Sequence, residues 1–106
     1  MISPMERLAR IRTAWEQQKL SIPDLSSGLE EIFSELRWDI NEEAAQKAFE
    51  AWGDIEIITA TLFDENRPPT PKEKRDAGRF ANEFFIIFRN QASEKMNYLN
   101  KIMRLS

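Results

Sequence analysis

The chain has 106 residues, of which 42% are hydrophobic and 31% are charged. This length suits a single domain, residues 1–106, built around one hydrophobic core. The sequence contains neither cysteine nor histidine. Disulfides, cysteine and histidine zinc sites, thiol nucleophiles and histidine-based catalytic triads are therefore excluded.

The net charge of −3 hides an uneven distribution along the chain. Residues 22–65 carry twelve acidic and two basic side chains, a net −10, whereas residues 1–21 carry +2 and residues 66–106 carry +5. We therefore expect an acidic centre between two weakly basic ends. These charges either attract one another between neighbouring helices or present an acidic face to a basic partner.

Two capping boxes give the clearest local signals for helix starts. Ser3 with Glu6, and Thr70 with Glu73, each enclose a proline at the first helical position. In such a box the hydroxyl accepts from a free backbone N–H and the glutamate reaches back to the cap residue. We expect the first and last helices to begin there.

Three helices are predicted before the last one. The first runs from Pro4 to about Lys19, the second starts between Pro23 and Ser27, and the third is capped by Asn41. Apolar residues at helical spacing define the expected core. They are Leu8, Ile11, Trp15, Leu25, Leu29, Ile32, Phe33, Leu36, Ala45, Ala48, Phe49, Trp52, Ile55, Thr59 and Leu62.

The third helix contains a weak point. Residues 55–59 alone would suit a β-strand, but a single strand has no partner in this chain. We therefore expect helix here, kinked at Gly53 and Asp54. Residues 64–71 contain three prolines and are expected to form a loop.

The last helix begins at Pro71 and shows no breaker before the end of the chain. Unbroken, it would be roughly 50 Å long against about 24 Å for the first helix. We favour a bend near Asn90–Ser93, where Ser93 is a suitable cap, over one long rod. The predicted fold is an all-α antiparallel bundle of four or five helices, with the apolar run Phe84–Phe88 at its centre.

Enzymatic and cofactor-binding signals are weak. The three scattered glycines form no phosphate-binding loop. Glu31 with Glu35, and Glu50 with Asp54, lie one turn apart, but opposite the predicted apolar stripes, so we interpret them as solvated carboxylates. We expect neither catalysis nor a metal or other cofactor.

A nucleic-acid partner is not expected either. Four basic residues cluster in the first turns of the last helix, and a basic helix can contact phosphates. They are Lys72, Lys74, Arg75 and Arg79. Cations at a helix N-terminus oppose its dipole, however, and an acidic protein repels a polyanion.

The turn between the second and third helices is expected to be the binding site for a basic protein, because it concentrates negative charge beside an aromatic residue. The candidate residues are Glu30, Glu31, Glu35, Trp38, Asp39, Glu42 and Glu43. Trp38 lies off the apolar stripes, so two roles remain open for it: an interface anchor, or a plug at the end of the core.

The expected function is that of a small acidic binding module. Its most concrete form is an inhibitor or immunity (antitoxin-like) protein that neutralises a basic toxin such as a nuclease. The alternative is a structural or regulatory homo-oligomer, for instance a homodimer, with a seam formed by Met96, Leu99, Ile102 and Met103. The N-terminus lacks the apolar core of a signal peptide and no run is long enough to span a bilayer, so we expect a cytoplasmic protein without membrane contact.

Overall fold

A computed structural model describes the backbone of residues 2–105 and the side chains of residues 2–91, 99 and 101–103. Within these residues the chain forms four α-helices and one 3₁₀ turn, which confirms the predicted all-α bundle. The helices are α1 (Pro4–Glu16), α2 (Ile22–Leu36), α3 (Glu42–Glu65) and α4 (Pro71–Leu105). The 3₁₀ turn, Arg37–Asp39, joins α2 to α3 and is called the corner turn below.

Successive helices run in opposite directions, as pairs of contacts between them show. Between α2 and α3, Ser26 meets Glu56 and Phe33 meets Phe49, so the residue numbers run oppositely along the two helices. Between α3 and α4 the corresponding pairs are Asn41 with Gln91 and Arg67 with Glu73. Between α1 and α2 they are Arg7 with Glu35 and Ile11 with Gly28. Each short connection therefore folds a helix back on its predecessor.

Side-chain caps set the helix starts. Ser3 accepts from the backbone N–H of Glu6 at 3.1 Å, and Asn41 accepts from that of Ala44 at 2.8 Å, as predicted. The described residues Ser3 and Glu6 do not form the second bond of the predicted capping box, from the Ser3 N–H to the Glu6 carboxylate. The predicted start of α2 was late, because Ser21 accepts from the N–H of Asp24 and the helix begins at Ile22. The predicted end of α1 at Lys19 was also late, since the helix ends at Glu16.

The last helix is one long rod, so the favoured bend near Asn90–Ser93 was wrong. Helical hydrogen bonding continues through these residues from Pro71 to Leu105. The fifth helical element is the corner turn instead. The 59 Å long dimension of the molecule, against 26 and 23 Å for the other two, reflects this rod. Helix α3 is likewise unbroken from Glu42 to Glu65, so the predicted kink at Gly53 and Asp54 does not interrupt it.

The core lies between the four helices. Its fully buried large side chains are Phe84, Phe88, Leu25, Leu29, Ile32 and Ile55. The prediction that the run Phe84–Phe88 is central holds for its three phenylalanines, whereas Ile86 is 37% exposed. Phe49 was wrongly placed in the core, because its side chain is 48% exposed on the outside of α3.

Two glycines let α1 approach its neighbours closely. A Cβ atom at Gly28 on α2 would lie 2.9 Å from Cδ1 of Ile11, and one at Gly78 on α4 would lie 3.4 Å from Nε1 of Trp15. Glycine at position 28 therefore leaves room for the end of the Ile11 side chain, and glycine at position 78 lies in close contact with the Trp15 ring.

Candidate protein-binding surface

The seven residues predicted to bind a basic partner all lie on the surface and are called the acidic corner below. They occupy the end of α2, the corner turn and the first turn of α3. All seven side chains are exposed: Glu30, Glu31, Glu35, Trp38, Asp39, Glu42 and Glu43. Asn41 fixes this end of α3 to α4, because its backbone N–H and its side-chain amide both donate to the Gln91 Oε1, at 3.2 and 3.3 Å.

Two of the six carboxylates in the acidic corner are held by ion pairs within the chain. Glu35 pairs with Arg7 of α1, and Glu43 pairs with Lys47 at 3.4 Å. Glu31 lies one turn before Glu35 and shares its side of α2. The structure therefore divides the corner, with Glu31 and Glu35 towards α1 and the remaining acids towards the corner turn and α3.

Trp38 is an exposed residue and not a plug of the core. Its side chain is 81% accessible to solvent. The guanidinium of Arg37 lies 4.6 Å from the Trp38 ring centroid and 5.4 Å from that of Phe33, within the range of cation–π contacts. Arg37 thus links the exposed indole to an aromatic side chain of α2.

From Phe33 a line of aromatic rings leads on to α3. The Phe33 and Phe49 rings lie 5.8 Å apart, and the Phe49 and Trp52 rings 5.6 Å apart, both in tilted geometry. Phe33 and Trp52 are partly buried, whereas Phe49 faces solvent. The aromatic surface therefore continues from the corner turn on to the side of α3 where Phe49 is half exposed.

That side of α3 was not recognised in the sequence. It is called the outer face below and consists of Phe49, Gly53, Glu56, Ile57, Ala60 and Phe63. Ile57 is 66% exposed and Phe63 is 71% exposed. Positions 49, 53, 56, 60 and 63 follow the spacing i, i+4, i+7, i+11 and i+14 of a second helical stripe. The same spacing is visible in the sequence, where Phe49 also fits the predicted core stripe with Ala45 and Trp52.

Two side-chain hydrogen bonds hold α2 beside the outer face. The Trp52 indole N–H donates to the main-chain carbonyl of Ser26 at 3.0 Å, and the Ser26 hydroxyl donates to the Glu56 carboxylate. Ser26 is buried, so both bonds lie in the contact between the helices. The bond from the Ser26 hydroxyl orients the Glu56 carboxylate, which lies at the centre of the outer face.

The α3–α4 connection is fastened by an arginine between two carboxylates. Arg67 donates to both oxygens of Glu73, at 2.7 and 3.0 Å, and also pairs with Glu65. Thr70 and Glu73 complete the predicted capping box through reciprocal bonds of 3.1 and 2.9 Å. Hydrogen bonds from Arg67 and from the Thr70 backbone lower the pKa of Glu73 from 4.5 to about 2, and the pKa of Arg67 is raised by Glu73 and Glu65.

The predicted oligomer seam falls on the far part of α4. Leu99, Ile102 and Met103 are 44%, 45% and 73% exposed. The side chain of Met96 lies outside the described residues. Among the described side chains, the seam therefore has three large exposed apolar residues near the end of the rod.

Within the described residues, no three acidic side chains come close enough to hold a metal ion together. None of the described helices combines the length and the apolar character that a transmembrane segment needs. Comparison of the chain with protein-family models, curated proteins and solved structures gave no match.

Proposed function

We propose that this protein is a binding module without chemistry of its own, and that its acidic corner recognises a basic protein. The observation that carries the proposal is the exposure of all seven corner residues, with Trp38 81% accessible and followed directly by Asp39 in the corner turn. Negative charge steers a cationic partner and accelerates association. An exposed tryptophan supplies the apolar contact that commonly dominates binding energy.

The most concrete form of this proposal is an inhibitor or immunity protein that covers the positive active site of a toxin such as a nuclease. Supporting features are the small size, the −10 charge of residues 22–65 and the absence of cysteine and histidine. Inhibition of this kind requires a surface of matching shape and opposite charge, and no catalytic group on the inhibitor.

The test uses charge reversals of corner residues that form no ion pair with the described part of the chain. The double variant Glu30→Lys/Glu42→Lys keeps both internal pairs, Arg7–Glu35 and Lys47–Glu43, and so should fold. A basic protein captured from native extract, identified and purified, is then titrated against both forms. We expect the double variant to bind it at least about tenfold more weakly.

The matched control is Glu83→Lys, because Glu83 is exposed on α4, away from the corner. This reversal should change affinity much less than the double variant does. Affinity for the unmodified protein should also fall as salt increases, since exposed charges are screened. Equal binding by all three forms would refute the acidic-corner proposal.

A second candidate function is a homo-oligomer joined through the far part of α4. The observation that favours it is the unbroken rod, which carries Leu99, Ile102 and Met103 exposed near its end. Apolar residues at helical spacing on an uncovered helix are typical of helix–helix association. Sedimentation of the purified protein separates the two candidates, because a stable dimer favours this one and a monomer favours the first.

A further inference from the structure

The outer face of α3 has a phenylalanine at each end and small residues between them. Phe49 and Phe63 are fourteen positions apart, about 21 Å along the helix axis. Between them on the same stripe lie Gly53, Glu56 and Ala60, and the Glu56 carboxylate accepts a hydrogen bond from the Ser26 hydroxyl of α2. A Cβ atom at Gly53 would have no neighbouring atom within 4 Å, so the surface is open there.

The small residues Gly53 and Ala60 allow the backbone of another helix to approach α3 closely. Small residues allow a second helix to pack near the α3 axis, while the two exposed phenylalanines bound the contact at either end. The length of about 21 Å corresponds to four turns of helix. A groove of this kind is the usual receptor for one amphipathic helix.

The acidic residues around the outer face favour a docking helix that carries positive charge. Helix α3 carries seven acidic residues and a single basic one, Lys47, a net −6 over its 24 residues. Lys47 is paired with Glu43. The Glu56 carboxylate lies in the middle of the face, oriented by the Ser26 hydroxyl. Glu50, Asp54 and Asp64 are exposed on the same helix.

From these observations we infer that the outer face of α3 is a docking groove for a cationic amphipathic helix of the partner protein. The apolar stripe of that helix lies over Gly53 and Ala60 between the two phenylalanines, and its lysine or arginine side chains meet Glu56 and the neighbouring carboxylates. The inference rests on the proposed function and specifies the partner's binding element. It extends the binding surface from the acidic corner along the length of α3.

Three synthetic peptides of about 18 residues test the inference. The first is a helix of leucine, alanine and lysine with its leucines on one side. The second has the same composition with the leucines spread around the helix, and the third replaces every lysine of the first by glutamate. Binding is followed by the NMR signals of the three tryptophan indoles.

The tryptophans report on different places. Trp52 lies beside the outer face, Trp38 in the acidic corner, and Trp15 packs against Gly78 between α1 and α4. We expect the first peptide to shift the Trp52 signal and leave that of Trp15 in place. The second should bind at least about tenfold more weakly, and the third should not bind.

A matched pair of variants locates the groove. Gly53→Leu fills its open centre and should weaken binding of the first peptide about tenfold. Gly53→Ala adds one methyl group and should retain binding. Phe63→Ser removes an exposed end of the groove and should weaken binding as well, whereas Ile86→Ser, at an exposed position of α4, should not.

The outcomes distinguish failure of the docking groove from failure of the basic-partner proposal. Equal binding of the first two peptides, no binding of the first peptide, or full binding to Gly53→Leu overturns the groove and leaves the basic-partner proposal standing. Equal or tighter binding of the glutamate peptide contradicts the basic-partner proposal itself. Thermal unfolding of each variant confirms that the fold is intact.

Discussion

The Trp52 indole donates a hydrogen bond to the main-chain carbonyl of Ser26 at 3.0 Å, across the contact between α3 and α2. The same serine donates through its hydroxyl to Glu56, one turn further along α3. One buried residue of α2 thereby fixes both an aromatic ring beside the outer face and the central carboxylate of that face. The geometry of the proposed binding surface depends on this contact.

Removal of the indole donor should loosen the α2–α3 contact. We expect Trp52→Phe to lower the free energy of unfolding by about 1–2 kcal/mol, because a part-buried hydrogen bond and some packed area are lost. Trp38→Phe is the control, since an 81% exposed side chain should change stability by about 0.5 kcal/mol or less. Chemical denaturation measures both. Equal losses in the two variants would contradict the assigned roles.

Substitution of two glycines by alanine should have different effects on stability. Gly53→Ala should raise the free energy of unfolding by about 0.5–1 kcal/mol, because alanine favours helix and the new methyl group meets no atom. Gly28→Ala gains the same propensity but places Cβ 2.9 Å from the Ile11 Cδ1. We expect it to be less stable than Gly53→Ala by about 1 kcal/mol. Identical denaturation midpoints would contradict this, because they would show that the end of the Ile11 side chain moves aside without loss of stability.

The ion pair at the α3–α4 connection should contribute to stability in a defined pH range. The pKa of Glu73 is about 2 in the folded protein against an ordinary 4.5. Because this value is lowered by folding, the contribution is complete above about 4.5 and is lost as pH falls towards 2. Unfolding curves of the unmodified protein and of Glu73→Gln should therefore differ near neutral pH and converge in acid.

Arg67 supplies the largest part of this effect, so Arg67→Gln should reduce the same pH dependence. Both variants leave the acidic corner unchanged and can be studied without a partner. A difference between the unmodified protein and Glu73→Gln that stays constant down to about pH 2 would contradict the proposed linkage.

The far part of α4 gives a prediction about self-association. If the second candidate function holds, Ile102→Asp and Met103→Asp should convert a dimer into a monomer, because a carboxylate in an apolar helix contact is costly. Both side chains are exposed, so the monomer should remain folded. Sedimentation velocity measures the change. A dimer that persists in both variants would show that its interface lies elsewhere.

Local signals in the sequence predicted most of the fold. The caps at Ser3, Asn41 and Thr70 were recognised because each motif is contained within four residues. The predicted start of α2 was late because the helical apolar spacing begins at Leu25, whereas the cap, Ser21, lies four residues earlier. The predicted bend in α4 was wrong because asparagine and serine are only weakly unfavourable inside a helix. A long helix therefore tolerates them at positions 90 and 93.

The exposure of the candidate binding residues was predicted in part. A run of acidic residues at a helix connection is visible in any sequence, and the structure shows all of the corner residues exposed. Phe49 was placed on the wrong side because helical spacing alone does not say which of two overlapping stripes faces the core. The choice is made by packing, where Ala48 and Ile55 are buried and Phe49 is left outside.

The most direct test of the central claim is the affinity of the purified basic partner for Glu30→Lys/Glu42→Lys, with Glu83→Lys measured beside it. We predict that the double variant binds at least about tenfold more weakly and that Glu83→Lys binds nearly as well as the unmodified protein. Unchanged affinity for the double variant would contradict recognition through the acidic corner.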